Sequence, residues 1–236
     1  MKNKTMGQKL NNNLHEIYLG HVKAFLLEAS DGSLVLIDTG LPKSSSKIIS
    51  YINSIGKSIS DVKYILLTHA HIDHFGSAYD IKRMSGALLG INEKGVEYVD
   101  GTKGLLVPVA RNSKNFKDKA LAGVLKLISA VKIIKPKFVK PDMVLKEGVF
   151  PESMHVNAKI IETPGHTQDS VSVYLPDTKT IIVGDLFKGA SDALVAPPFF
   201  DDYIALLNST NKIRELNPDL ICVSHGKNHN VSDLKL

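Results

Sequence analysis

The chain has 236 residues, of which 43% are hydrophobic and 22% charged, a composition typical of a globular protein with one or two domains. Its one cysteine, Cys222, excludes an internal disulfide, and no apolar stretch approaches the length that a membrane span needs. The segment Met1–Leu14 lacks the apolar core of a signal peptide, so we expect a cytoplasmic protein.

The formal charge of +5 is unevenly distributed along the chain. Ten lysines and arginines, but only one acidic residue, Asp118, lie between Thr102 and Lys140. The rest of the chain is therefore net acidic, which argues against a nucleic-acid-binding surface over the whole protein. We expect no nucleic-acid partner.

The predicted elements of the N-terminal half alternate between strands and helices. The strands are apolar runs bounded by turn residues, at Leu14–Leu19, Val22–Ala29, Ser33–Ile37, Val62–Leu67 and Ala87–Ile91. Hairpin turns at Gly20-His21 and Ser30-Asp31-Gly32 join the first three of them. Helices are predicted from helical spacing and boundary residues at Pro42–Ile55, Phe75–Met84 and Glu93–Val99.

A segment at about 101–141 interrupts this pattern. Gly101–Asn115 has loop composition, and Phe116–Ile134 has apolar residues at helical spacing. We expect a basic, partly helical insertion within a single domain that spans residues 1–236. Its sequence leaves open a solvated cap, a lid over the substrate, peripheral contact with an anionic membrane, and a homodimer interface.

Strands and one long helix are predicted again after the insertion. The strands are His155–Glu162, Ser170–Leu175, Thr180–Val183 and Leu220–Val223, and the helix is Asp201–Leu216. Five strands of the chain end beside glycine or a turn in a residue that can bind a metal, namely Asp38, His69, His166, Asp185 and His225. The densest group places three histidines and an aspartate within Thr68-His69-Ala70-His71-Ile72-Asp73-His74. Imidazole and carboxylate are ligands that zinc prefers.

The ordered motifs His-x-His-x-Asp-His, Pro-Gly-His-Thr, Gly-Asp and Ser-His-Gly resemble those of the metallo-β-lactamase superfamily, over Leu14 to His225. The resemblance implies an α/β fold, a four-layer αβ/βα sandwich of two mixed sheets with helices outside and a metal site at one edge. It also implies one metal bound by His69, His71 and His166. A second metal would be bound by Asp73, His74 and His225, with Asp185 bridging both. Asp38 would support the metal-binding loop without binding metal.

This ligand set implies a hydrolase with two Zn²⁺ ions, for which Mn²⁺ or iron are alternatives. Two metals about 3.5–4 Å apart can share a water and lower its pKa towards about 7, giving a bridging hydroxide. Asp73 is the candidate catalytic residue, because a carboxylate beside that water can accept a proton. Candidate residues for binding a small-molecule substrate are His21, Lys188, Lys227 and His229.

The bond that is cleaved stays open between several branches of the family. Thr-Pro-Gly-His-Thr resembles the glyoxalase II and lactonase branches, and an aspartate at the position of Asp185 is unlike true β-lactamases. We therefore favour a carboxylic ester, lactone or thioester as the substrate. The alternatives are a phosphodiesterase with the same metal centre, a mononuclear iron oxygenase resembling the persulfide dioxygenases, and a binding module that keeps the site only for stability.

Overall fold

A computed structural model describes residues 6–107, 136–148 and 150–236. The predicted helix Phe116–Ile134 lies outside the described residues, so the single-domain arrangement with an insertion stays a prediction. Within the described ranges, no helix has both the length and the apolar character that crossing a membrane requires.

The larger sheet contains seven strands that lie side by side in chain order. They are β1 (Gly7–Lys9), β2 (Leu14–Tyr18), β3 (Lys23–Glu28), β4 (Leu34–Ile37), β5 (Val62–Leu66), β6 (Leu88–Asn92) and β7 (Met143–Leu145). Strands β1 to β4 pair antiparallel, whereas β4 to β7 pair parallel. Parallel pairs need crossover connections, and helices supply those from β4 to β5 and from β5 to β6.

The second sheet is built by the C-terminal half of the chain. Its strands are β8 (Lys159–Glu162), β9 (Val171–Leu175) and β10 (Thr180–Ile182), and a separate two-stranded ribbon follows, β11 (Lys188–Gly189) with β12 (Leu194–Val195). Strand β13 (Leu220–Cys222) completes the order β13-β10-β9-β8. It runs parallel to β10, while β9 is antiparallel to both of its neighbours.

Five α-helices are described, namely α1 (Ser45–Ser54), α2 (Ile72–Phe75), α3 (Ala78–Ser85), α4 (Val96–Val99) and α5 (Tyr203–Leu216). Side chains of β4 alternate between two cores: Leu34 and Leu36 pack with α1 and α3, and Val35 and Ile37 pack with the second sheet. Strands buried on both faces read as continuous apolar runs, which β4 shows.

The opposite face of the second sheet is covered by α5. Its Leu206 and Ile213 are fully buried in a cluster with Ile181 and Ile221. The layers are therefore helices, sheet, sheet and helix, and both sheets are mixed. This confirms the predicted α/β fold class, the four-layer sandwich.

Three predicted element boundaries are wrong, each because of the backbone conformation of a residue at the boundary. The helix predicted over Phe75–Met84 begins at Ala78, because Ser77, with φ −107° and ψ 6°, departs from helical geometry and separates α3 from α2. The helix predicted from Pro42 begins at Ser45, because Lys43 adopts a positive φ of 74°. The strand predicted from His155 begins at Lys159, because His155 has a φ of 51° after a 3₁₀ turn.

Candidate metal centre

The ends of two neighbouring parallel strands are joined by Asp38, which directly follows β4. Its φ of 62° lies in the left-handed region, which aspartate tolerates better than most residues. Oδ1 accepts a hydrogen bond from the backbone N of Thr68, and Oδ2 accepts one from Thr68 Oγ1, both at 2.8 Å. Because Thr68 follows β5, this carboxylate fixes the start of the histidine-rich loop.

The orientation of His74 is set by the same carboxylate. Its Nδ1 lies 2.8 Å from Asp38 Oδ2, and its backbone carbonyl accepts from the N and Oγ1 of Thr39 at 2.7 and 2.8 Å. A carboxylate can only accept, so Nδ1 carries the proton in this pair and Nε2 is left as the outward atom. Burial would lower the pKa of His74, but Asp38, Asp185 and then Asp73 raise it well above its ordinary value.

Three buried histidines from two loops converge in the first group of ring nitrogens. Nδ1 of His71 lies 3.0 Å from Nε2 of His69 and 3.0 Å from Nε2 of His166. Nδ1 of His166 donates to the Phe199 carbonyl at 2.7 Å, which leaves its Nε2 as an acceptor. Burial and the neighbouring rings, His166 foremost, lower the pKa of His71 to about 3. The ring of His71 is therefore neutral at pH 7, the form that binds metal.

A second group combines His225 with Asp73 and His74 of the histidine-rich loop. Nε2 of His225 lies 3.3 Å from Asp73 Oδ2 and 3.4 Å from Asp185 Oδ2, and its Nδ1 donates to the His21 carbonyl at 2.8 Å. Burial opposes the charge on His225, but Asp185 and Asp73 outweigh it and raise its pKa to about 10. Burial likewise opposes the charge on Asp73, yet His74 and His225 lower its pKa to about 2.

The carboxylate of Asp185 lies between the two groups. Its Oδ1 is 3.5 Å from Nε2 of His74, and its Oδ2 is 3.6 Å from Nε2 of His166. Both His74 Nε2 and Asp185 Oδ1 are buried without a hydrogen-bond partner. A buried polar atom is rarely left unpaired. The space between His74 Nε2 and Asp185 Oδ1 therefore suits a metal cation that both atoms could bind.

Three overlapping sets of ligand atoms, each within 4.8 Å of one another, are found among the described residues: His69, His71 and His166; His69, His74 and Asp185; and Asp73, His74 and His225. All seven residues predicted from the sequence as metal ligands thus come together at one edge of the sandwich. Among the described contacts, Asp38 reaches this set directly at His74 and indirectly through Thr68, whose Oγ1 lies 3.1 Å from Nδ1 of His69.

Two glycines allow the loops that carry these residues to approach neighbouring elements. Gly165 has a φ of 142°, and a Cβ atom there would lie 2.4 Å from the Cα of Leu206 in α5. Gly184 has a φ of 56°, and its Cβ would lie 2.8 Å from Thr68 Oγ1. Any larger residue would displace either α5 or the hydroxyl that contacts Asp38.

The four candidate substrate-binding residues have different surroundings. His21, Lys188 and Lys227 are exposed, and the contact that His21 makes with the centre is through its backbone carbonyl. His229 is held by the Ala190 carbonyl, 3.0 Å from Nε2, and by Asp233, 3.2 Å from Nδ1, and makes none of the described contacts with the ligand set.

Three residues that support the site were not predicted from the sequence: Thr68, Phe199 and, through its backbone carbonyl, His21. A hydroxyl residue between a strand and the first histidine was a usable signal for Thr68. The other two act through carbonyl oxygens, which every residue has, so their side chains give no signal. Leu106, near the start of the predicted insertion, forms an isolated β-bridge with His71, so this segment begins beside the first group.

Comparison with known proteins agrees with this arrangement. A profile of the Metallo-beta-lactamase superfamily matches residues 17–225. "Probable metallo-hydrolase YflN" of Bacillus subtilis is 25% identical over 229 residues, which cover 89% of this chain and 81% of that protein. "Hydroxyacylglutathione hydrolase GloC" of Haemophilus influenzae is 29% identical over 170 residues, which cover 70% of this chain and 69% of that protein.

Among solved structures, BJP-1, a subclass B3 metallo-beta-lactamase of Bradyrhizobium japonicum, superposes with a TM-score of 0.68. The match covers 94% of this chain and 78% of that one, at 23% sequence identity. At this level of identity the likeness establishes a common fold.

Proposed function

Because the chain belongs to the metallo-beta-lactamase superfamily and is a metal-dependent hydrolase, we propose that it has a dinuclear zinc centre and cleaves an ester-like bond. The bond is a carboxylic ester, a lactone or a thioester. The observation that carries the proposal is the position of Asp185, whose two oxygens lie 3.5 Å from Nε2 of His74 and 3.6 Å from Nε2 of His166. One carboxylate facing both groups suits two metals rather than one.

In this proposal, seven residues hold the metals. His69, His71 and His166 would hold the first, Asp73, His74 and His225 would hold the second, and Asp185 would contribute to both. A donor set of imidazole nitrogens and carboxylates suits zinc, and manganese and iron accept the same donors. When bound, the metal pair lowers the pKa of water to about 7 and polarises the oxygen of the substrate.

The protein's own residues prepare the site for that chemistry. The Phe199 carbonyl holds Nδ1–H of His166, the His21 carbonyl holds Nδ1–H of His225, and Asp38 holds His74, so each ring presents Nε2 inward. The side chain of Asp73 is 30% exposed and, with its lowered pKa, is ionised at neutral pH. As an anion at the mouth of the site, Asp73 can accept a hydrogen bond from water and orient it, and transient proton transfer to this carboxylate is the catalytic role that we propose.

The choice of an ester-like bond is supported by one of the relatives. GloC is named for the hydrolysis of an acyl derivative of glutathione, whereas the name of YflN, a probable metallo-hydrolase, supports hydrolysis without specifying the bond. Both names concern those proteins, and we extend only the class of bond, an acyl group on oxygen or sulfur, from GloC to this chain.

A phosphodiester is the second candidate, because two exposed lysines follow the loops of the second group. Lys188 lies three residues after Asp185 and Lys227 two residues after His225. The backbones of these two loops touch, since Gly189 N donates to the His225 carbonyl at 2.9 Å. Lysines near a metal pair would favour a phosphate group, and such attraction weakens with salt.

The test is a substrate screen of the zinc-loaded full-length protein at low and at high salt. Matched lactones, thioesters, carboxylic esters and bis(p-nitrophenyl) phosphate are compared, with the metal-stripped protein as the control. We expect turnover of an acyl substrate that changes little with salt. Faster turnover of the phosphodiester that falls steeply with salt would favour the second candidate. No zinc-dependent hydrolysis of any class would contradict the proposal.

A further inference from the structure

A buried network of charged and amide groups lies next to the second ligand group. Glu16 on β2 and Lys23 on β3 are only 3% and 6% exposed, and Glu16 Oε2 lies 3.2 Å from Lys23 Nζ. Lys23 Nζ donates to Oδ1 of Asn228 at 2.6 Å, and Nδ2 of Asn228 donates to Glu16 Oε2 at 2.8 Å. The three side chains thus form a closed triangle.

This network connects the β2–β3 hairpin to the loop that carries His225. Oδ1 of Asn228 also accepts from the backbone N of Val223 at 3.2 Å, and the backbone N of Lys23 donates to the Ser224 carbonyl at 2.9 Å. The turn of the same hairpin supplies the His21 carbonyl that holds Nδ1 of His225. The β2–β3 hairpin and this network therefore form hydrogen bonds with the loop on both sides of His225.

The cost of burying these charges indicates a role other than stability alone. The second oxygen of Glu16, Oε1, accepts from Gln8 Nε2 at 2.6 Å and from Tyr18 Oη at 2.5 Å, so the carboxylate is fully partnered. Burial would raise the pKa of Glu16, but Lys23 and these hydrogen bonds outweigh it and lower the pKa. A buried ion pair is often no more stabilising than apolar residues of the same size, whereas it fixes one geometry.

We propose that Glu16, Lys23 and Asn228 are positioning residues that set the affinity of the second metal by holding His225 in place. The inference rests on the proposed dinuclear centre. None of the hydrogen bonds in the described part of the chain joins these three side chains to the first group, His69, His71 and His166. The first metal is therefore independent of the network.

The test is stepwise zinc binding to metal-stripped, full-length protein, measured by competition with a chromophoric chelator. The variants are Lys23→Met and Asn228→Ala, and the control is Lys9→Met, which removes an exposed lysine 3.1 Å from Glu28 on the same sheet. Loss of partners around metal ligands typically weakens binding by about 10–100-fold. We expect this loss of affinity for the second zinc alone in both variants. In the control, we expect the dissociation constants of both zinc ions to stay unchanged.

Asn228→Ala is included because it leaves the Glu16–Lys23 pair intact, so that a folded variant is available even if Lys23→Met unfolds. If folded Asn228→Ala bound both zinc ions with wild-type dissociation constants, the positioning role would be overturned. An equal loss for both metals would also overturn it, since the effect would then act through the fold. A wild-type protein that binds one zinc would instead contradict the dinuclear centre, and with it the inference.

Discussion

Nδ1 of His74 lies 2.8 Å from Oδ2 of Asp38, and both side chains are completely buried. Asp38 follows β4 and Thr68 follows β5, so one carboxylate aligns two parallel strand ends and one histidine ring. The sheet thereby determines which nitrogen of His74 faces the candidate metal centre.

Replacement of Asp38 by asparagine should weaken metal binding by about 10–100-fold while the protein stays folded. Asparagine tolerates the left-handed φ, but its amide can donate to Nδ1 of His74 and move the ring proton to Nε2, the wrong atom for binding. Chelator competition measures the loss. The control is Asp142→Asn, which removes an ion pair with Lys82. Equal affinities in wild-type protein and Asp38→Asn would contradict the role of Asp38.

Replacement of Asp185 by asparagine should abolish most activity without unfolding the chain. The amide removes a negative charge that faces His74, His166 and His225. Metal pairs contribute several kcal/mol to hydrolysis, so we expect a loss of about 100-fold or more in kcat/KM. The rate is measured with the substrate found in the screen, and circular dichroism checks the fold. A folded variant with wild-type turnover would leave only a structural or binding role for the site.

The close packing of the His166 loop on α5 predicts that Gly165→Ala is strongly destabilising. The methyl group of the alanine would overlap the backbone of Leu206, and the alanine itself would have to adopt a φ of 142°. Gly56→Ala is the matched control, because Gly56 has a φ of 76° but open space around it. We expect Gly56→Ala to lower the free energy of unfolding by about 1–2 kcal/mol, and Gly165→Ala to lower it by about 1–3 kcal/mol more.

Urea unfolding of both glycine variants provides the measurement, with the metal removed so that binding does not contribute. Equal free energies of unfolding for the two variants would show that the loop moves away from α5 at little cost.

The contribution of Glu28 to stability should depend on pH. A hydrogen bond with His15, at 2.8 Å, outweighs burial and, with Lys9, lowers the pKa of Glu28 below its ordinary value of 4.5. As the pH falls, Glu28 therefore takes up its proton at a higher pH in the unfolded chain than in the folded protein. The stabilisation is complete above pH 4.5 and is lost as the pH falls through the lower, folded-state value.

Urea unfolding of wild-type protein and Glu28→Gln at stepwise lower pH checks this. The wild-type advantage should be largest near about pH 7 and shrink below the ordinary pKa of a glutamate. Glu152→Gln, an exposed position for which the described residues show no ion pair, is the control. An advantage of Glu28 that grows as the pH falls would refute the assignment.

The sequence was sufficient to predict the fold class and the residues that cluster at its edge. Asp38, His69, His166, Asp185 and His225 each follow an apolar run and precede or follow a turn, and parallel or neighbouring strand ends meet in space. The edge strands β1 and β7 were not predicted. Each has three residues, too few for a periodic pattern, and pairing with β2 or β6 defines them.

The supports around the site were hidden for different physical reasons. The carbonyls of His21 and Phe199 act through atoms that all residues share. Glu16 and Lys23 are charged residues within strands, a pattern that normally indicates a solvent-facing position. Their burial becomes apparent only when Asn228, more than two hundred residues away in the chain, closes the triangle.

The metal content of the purified full-length protein, determined by elemental analysis after expression without added metal, tests the dinuclear zinc centre most directly. We expect two zinc ions per chain in the wild-type protein and fewer in Asp185→Asn. Close to one iron per chain, with no zinc, would contradict the dinuclear hydrolase and direct attention to oxygen-dependent chemistry instead.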